Sequence, residues 1–553
     1  MTTDTVAPDS ARTFLDIRSL PSASALARDY THDFSRLAAF YAGNPADRQA
    51  WTPVIDAVLA HPSHAAGPRR ALAALLRAQQ ERRRAPAAAR AAVDRLEATG
   101  STVVITGQQS GFLGGPVYTL LKAITAIALA ADVEARTGVP VVPVFWADGE
   151  DHDWEEVRRC TVIGADDTAV TIDAPPLPDA GARPVGALVL DATVDAALAS
   201  IEQALPPTPF TAELLGLLRG AYAPGAGFTH AYATLIEAVL GPRGLVVFES
   251  NDPAAKPLVA HLFAAEVAAA PRTADLAGQA GAALRALGYH AQVQTAPDAT
   301  CLFDLTAART PIRVDGETCQ AGDVALTREA LTARISEAPH SVGPNVLLRP
   351  VVQDTLFPTI CYVAGPGELA YFAQLKPVYA AFGVPMPLVQ PRISATFLDS
   401  NAARFLARHQ LDLPALAPQD ERLLNQLLAA QMPADVEAAS QAAMNTVVTA
   451  MDALAAAVPA VDATLEGAVK SASGRMQDDL KKLQGKIVQA AKKKDDTLRR
   501  QFRHAQVLAF PGGAPQERQL GWISLVNRLG PALVDRILNE VPLTSGRHWL
   551  VTL

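Results

Sequence analysis

What most constrains the fold is a stretch of about forty-five residues that runs apolar segment, glycine-rich loop, helix, apolar segment. Thr102-Val103-Val104-Ile105 is short, apolar and closed by Gly107, the pattern of a parallel strand buried on both faces. The loop that follows carries Gly111, Gly114 and Gly115 and ends in Pro116, a residue suited to the first position of a helix because its missing N–H costs nothing there. A helix is expected from about Val117 to Thr137 and a second strand from Val141 to Trp146. Together they form a βαβ unit, and ligands on open sheets of this kind sit beyond the carboxyl ends of the strands.

The rest of the chain extends that unit. Residues 20–100 read as helical hairpins. Further strands are expected at 244–248, at Val346–Leu348 and at Pro385–Val389, with insertions at about 156–225 and 256–345. The fold class is therefore α/β, a doubly wound core over residues 1–395. Beyond 396 the strand signals stop. Met476, Leu480, Leu483, Ile487 and Ala490 step by four and three, the seam of a coiled coil, so 396–510 is expected to be a helical hairpin interrupted near Pro459. Residues 511–553 read as a loop and helices returning to the core.

Composition narrows the function classes. The 553 residues carry 48 basic and 56 acidic side chains, a net charge of -8, which opposes nucleic acid as the main partner. Cys160, Cys301, Cys319 and Cys361 have no metal-ligand spacing, so reduced thiols are expected and no metal. The first thirty residues carry Asp4, Asp9, Arg12, Asp16 and Arg18 and no apolar run, so no secretory signal is expected. The longest apolar helix read from the sequence, Ala123–Val133, is well short of the roughly twenty residues that span a bilayer. A cytoplasmic protein with no membrane partner is the expectation.

Four segments could carry chemistry. Thr106-Gly107-Gln108-Gln109 and the loop to Tyr118 place amides and a helix start where an anion is favoured, with Lys122 two turns further on. Trp146 and the run Asp148-Gly149-Glu150-Asp151-His152-Asp153 gather carboxylates around one histidine at a strand end, a setting for a general base or an ammonium site. Arg349, Gln353 and Asp354 follow an apolar run. Gly365-Pro366-Gly367 opens another helix that carries Gln374, and Arg392 lies before the expected domain junction. Both arginines are forks suited to carboxylate or phosphate.

Taken together, "TGQQSGFLGGPVYTLLKAI", "VPVFWADGEDHDWEEV", "PNVLLRPVVQDTLFPT", "YVAGPGELAYFAQLKPVY" and "PLVQPRISAT" closely resemble the cysteine ligase family of bacillithiol biosynthesis. The resemblance implies a Rossmann-like core similar to class I aminoacyl-tRNA synthetases, with connecting insertions and a coiled coil that makes a homodimer. It implies that the carboxyl of L-cysteine is joined to the amine of glucosaminyl-malate. No HIGH or KMSKS signature is present, so the activation step stays open and ATP or ADP is a candidate cofactor only. On this reading an acyl-adenylate or acyl-phosphate sits over Gly114-Gly115-Pro116, neutralised by Lys122, Arg349 and Arg392. His152 or a neighbouring carboxylate, Glu150 among them, deprotonates the amine, and Asp151 or Asp153 holds the cysteine ammonium. Gln108, Gln109 and Gln353 orient hydroxyls or the malate. Thr106, Tyr118, Trp146, Asp354, Gly365, Gly367 and Gln374 complete the expected site. Two other readings are a non-catalytic coiled-coil dimer that senses a nucleotide or metabolite, and a nucleotidyltransferase-like enzyme for another amino acid.

Overall fold

The computed structural model describes residues 13–20, 23–429, 434–462 and 464–553. It divides into two units, one running up to Thr396 and including Gln516–Val551, the other Phe397–Pro515 with Thr552–Leu553. In the first unit, apolar runs too short for helices become strands covered on both faces. These are β1 (Thr102–Gln109), β2 (Val141–Asp148), β3 (Val246–Glu249), β4 (Thr359–Ala364) and β5 (Leu388–Pro391). They pair in the order β5-β4-β1-β2-β3, all parallel. The helix α1 (Val117–Thr137) connects β1 to β2 and buries Leu120, Leu121, Ile124 and Val133. The chain winds one way from β1 to β3 and the other way from β4 to β5. The switch point therefore lies between β1 and β4, where a crevice opens at the strands' carboxyl ends.

Two expectations about this sheet are corrected. Val346–Leu348 is a turn rather than a strand, because the Asn345 Oδ1 accepts from the N–H groups of Leu347 (2.9 Å) and Leu348 (3.2 Å). That turn opens the helix α2 (Arg349–Leu356). The strand next to β1 is instead β4, six buried residues between Pro358 and Gly365 that sequence reading had split between two motifs. The 244–248 strand is β3. The strand expected at Pro385–Val389 begins only at Leu388, beyond the two prolines that cannot donate to a ladder.

Between β3 and β4 the chain builds a separate five-stranded antiparallel sheet over 299–344. The chain's last stretch does not end in helices. Arg547–Thr552 is a strand, paired antiparallel with Thr13–Asp16. The four cysteines are buried and unpaired.

In the second unit α3 (Ala434–Ala457) and α4 (Leu465–Ala509) pack on one another, joined through a turn at Val458–Ala460 that contains Pro459. Met476 and Leu483 of the heptad run are exposed, Leu480 and Ile487 half-buried, and the side chain of Ala490 lies outside the described residues. The stretch Asp435–Ala460 is also long and apolar enough, by length and composition, to cross a membrane. This corrects the expectation that no helix reaches that length. Alanine supplies much of the apolarity, and alanine's small side chain is also what close helix–helix packing uses.

Candidate functional site

A cavity of about 460 Å³ opens at the switch point, within the roughly 300–1,000 Å³ usual for small-molecule sites. β1 contributes Gly107, Gln108 and Gln109, and α1 contributes Tyr118 and Lys122. β2 and its exit supply Trp146, Asp148, Glu150 and Asp151. From the β4 side come Tyr362, Gly365, Gly367, Glu368 and Tyr371, with Arg349, Arg392 and Arg518 completing the wall.

Charges of both signs line the cavity, and most are paired. Lys122 is buried, and its Nζ donates to the Gly107 carbonyl, to the Gln108 Oε1 at 3.3 Å and to the Glu368 Oε2 at 2.6 Å. Burial pushes its pKa down, against the pull of Glu368. Glu368 also accepts from the Tyr362 hydroxyl at 2.6 Å and from the Gly365 N–H at 2.7 Å. The amide of the second glycine turn is thus closed by its own helix, and Lys122 is not available to a ligand anion.

Arg392 is likewise committed, to a two-pronged pair with Glu517 at 2.7 and 2.9 Å. Burial would raise the Glu517 pKa, but Arg392 outweighs it and holds the carboxyl at about 2. Arg349 is different. It is half-buried, donating to the Gln353 Oε1 (3.1 Å) and to the Tyr371 hydroxyl (3.0 Å), both neutral. Its guanidinium lies 5.9 and 5.8 Å from the ring centres of Trp146 and Tyr362. Among the described residues no carboxylate comes within 4.0 Å of it. A guanidinium drawn partly out of water without a directly paired carboxylate is costly, and its fork is suited to receive an anion.

The exit of β2 brings an acidic arc to the same cavity. Asp151 accepts from the His152 N–H at 2.7 Å and from the Gln109 Nε2 at 2.5 Å, with Arg309 3.6 Å away. Burial alone would raise its pKa, but Arg309 and these hydrogen bonds hold it low. Glu150 is paired through one oxygen with Lys256. The other oxygen and the Trp146 indole N–H are buried without a partner among the described residues.

Several expected residues stand elsewhere. Gly114 and Gly115 do not face the cavity: Trp522 packs on this loop, and its indole N–H donates to the Gly114 carbonyl at 2.8 Å. The Val117 N–H at the helix start is taken by the Leu520 carbonyl at 2.8 Å. The glycines serve that packing, since a Cβ on Gly114, at φ +91°, would meet the indole at 2.5 Å. Thr106 ties β1 to β4 through the Val363 carbonyl (2.9 Å). Gln374 is a buried staple between Ala277 and Val293. Gln353 and Asp354 are buried behind Arg349, where burial pushes the Asp354 pKa up to about 6. His152 and Asp153 lie outside the cavity lining. His152 touches Asp151 and Arg309, while Asp153 caps a short helix through the Glu156 N–H.

Sequence reading missed Glu368, Tyr362, Tyr371, Arg309 and Arg518. Glu368 had a signal, a glutamate three residues after a helix-capping glycine. Arg309 had none, because the inserted sheet brings it 157 positions along the chain to reach His152.

Comparison with known proteins agrees along the whole chain. The model of the bacillithiol biosynthesis BshC N-terminal Rossmann-like domain matches residues 15–393, and that of the BshC C-terminal coiled-coil domain matches 395–553. A relative from Salinibacter ruber named "Putative cysteine ligase BshC" is 33% identical over 527 residues, 95% of each chain. Relatives of the same name from Geobacillus thermodenitrificans and Chlorobaculum tepidum are 33% and 30% identical. They cover 87% and 85% of this chain, and 90% and 86% of their own. With two domain models in tandem and relatives matched nearly end to end, this chain belongs to the bacillithiol biosynthesis BshC family.

Proposed function

We propose that this chain is a carbon–nitrogen ligase that joins the carboxyl of L-cysteine to the amine of glucosaminyl-malate, the last step of bacillithiol synthesis, in the cavity between β1 and β4. The observation that carries this reading is the unpaired Arg349 in one cavity with a carboxylate arc. The first receives a carboxylate or the oxyanion that develops as the carboxyl reacts. The second receives ammonium groups, which both substrates bring. Arg518, exposed at the wall and without a carboxylate partner among the described residues, suits the malate. Amide formation from a free carboxylate is uphill at neutral pH, so the carboxyl is activated first, with ATP or ADP chemistry the candidate route.

The test is a mass-spectrometric assay of the purified protein with cysteine and glucosaminyl-malate, with and without ATP. Bacillithiol is the expected product, and release of AMP or ADP names the activation route. Absence of product under every condition rejects the ligase reading.

The chain also forms a homodimer on this reading, through the apolar positions that α3 and α4 leave exposed, among them Leu454, Met476 and Leu483. Sedimentation equilibrium is expected to give twice the 58.2 kDa chain mass. Replacing Met476 and Leu483 by Glu is expected to give the monomer, and a monomeric wild type would reject the dimer.

A further inference from the structure

We propose that Glu150 is the base that takes the proton from the substrate amine, and that Lys256, outside the cavity, is the residue that positions it. The proposal rests on the amide-forming reading above and names the proton acceptor within it. Glu150 lies just past the end of β2, in the cavity wall, with its N–H on the Asp148 Oδ1 at 3.0 Å. Its two oxygens are not equivalent. Oε1 is bound by the Lys256 Nζ, and the Lys256 side chain is only 6% exposed. Oε2 is buried and has no hydrogen-bond partner among the described residues. A buried carboxylate oxygen left bare is an unmet acceptor, and a ligand N–H in the cavity is the group that satisfies it.

The inserted sheet closes in on that oxygen. A Cβ on Gly343, at the end of the inserted sheet, would stand 2.7 Å from Oε2. Lys256 comes from the 3-10 turn Pro253–Leu258, packed over the Phe263 ring at 5.5 Å, so it is fixed before any ligand arrives. In the step itself one N–H bond of the amine or ammonium breaks and its electron pair stays on nitrogen. The proton passes to Oε2, and Glu150 becomes the neutral acid. The charged groups facing Glu150 are Lys256, Asp148 and Arg309. Burial pushes its pKa up, towards the range a base needs at neutral pH, and Lys256 counters that.

The experiment compares pH profiles of kcat/KM for wild type, Glu150→Gln, Lys256→Met and Lys256→Arg. Glu150→Gln is expected to lose about 100- to 10,000-fold. Removing the cation raises the carboxyl pKa, so Lys256→Met is expected to move the acid limb up by about 1–3 pH units. Lys256→Arg should return the limb towards wild type, which a merely structural lysine would not do. An acid limb that stays in place in Lys256→Met, or full activity in Glu150→Gln, overturns the proposal. Should Lys256→Met not fold, Gly343→Ala takes its place: turnover at least about tenfold lower is expected from the obstructed oxygen, and unchanged turnover overturns it. An infrared titration of the carboxyl band lost in Glu150→Gln needs no substrate. It reads the Lys256 effect even if the ligase assay gives no product, so the two readings fail separately.

Discussion

Arg349→Met is expected to lower kcat/KM at least about 30-fold while moving stability by no more than about 1 kcal/mol. The two halves of this result have one cause. Arg349 is held in a half-buried position by two neutral groups, Gln353 and Tyr371, with no carboxylate in reach among the described residues. The free protein therefore bears the desolvation of a cation that the Trp146 and Tyr362 rings and the more distant Asp148 and Glu368 offset in part. Deleting the guanidinium removes that cost and also two ordinary hydrogen bonds, worth about 0.5–1.5 kcal/mol each. The terms oppose, and the fold barely changes. The substrate carboxylate, in contrast, is expected to lose its guanidinium partner, and truncating one side of such a pair costs about 2–5 kcal/mol. Arg349→Lys keeps the charge but not the fork, and only part of the activity should return. Steady-state kinetics with varied cysteine, beside thermal melts, checks both halves. Wild-type kcat/KM, or a large loss of stability, would mean that Arg349 is structural.

The second large effect falls on stability. Trp522→Ala is expected to cost about 3–5 kcal/mol, the range for a buried aromatic cut to alanine. Trp522 is fully buried on the Gly114 loop and donates its indole N–H to the Gly114 carbonyl. Gly114→Ala should also destabilise strongly, because the new methyl meets the indole and the backbone at φ +91° disfavours any side chain. The double variant should cost less than the sum, since removing the ring makes room for the methyl. Denaturant midpoints of the four proteins complete the cycle. Strict additivity would show that the loop and Trp522 are independent.

That glycine loop shows where the sequence was legible and where it was not. The strand–loop–helix–strand unit could be read because burial of a parallel strand and a capped helix are local demands. The range of α1 and the position of β2 follow from them. The purpose of Gly114 and Gly115 could not be read in the same way. A glycine that admits a ligand and a glycine that admits an indole from 408 residues away look identical in sequence.

The same limit explains Lys122 and Arg392. Each is a cation in the right place, yet Glu368 and Glu517 consume their charge, and those partners are set by tertiary packing. Arg349 was legible only as one candidate among three. Val346–Leu348 misled because three apolar residues fit a strand, while the side chain of Asn345 bends the backbone into a helix cap. β4 was hidden for the opposite reason: its six residues had been split between the motifs on either side.

On the proposed reading, one cavity holds the cysteine carboxylate against Arg349 and presents ammonium groups to the acidic arc. A crystal structure with L-cysteine bound tests it most directly. The carboxylate is expected within hydrogen-bonding distance of the Arg349 guanidinium and the ammonium turned towards Asp148, Glu150 and Asp151. Cysteine bound elsewhere, with Arg349 untouched, would contradict it.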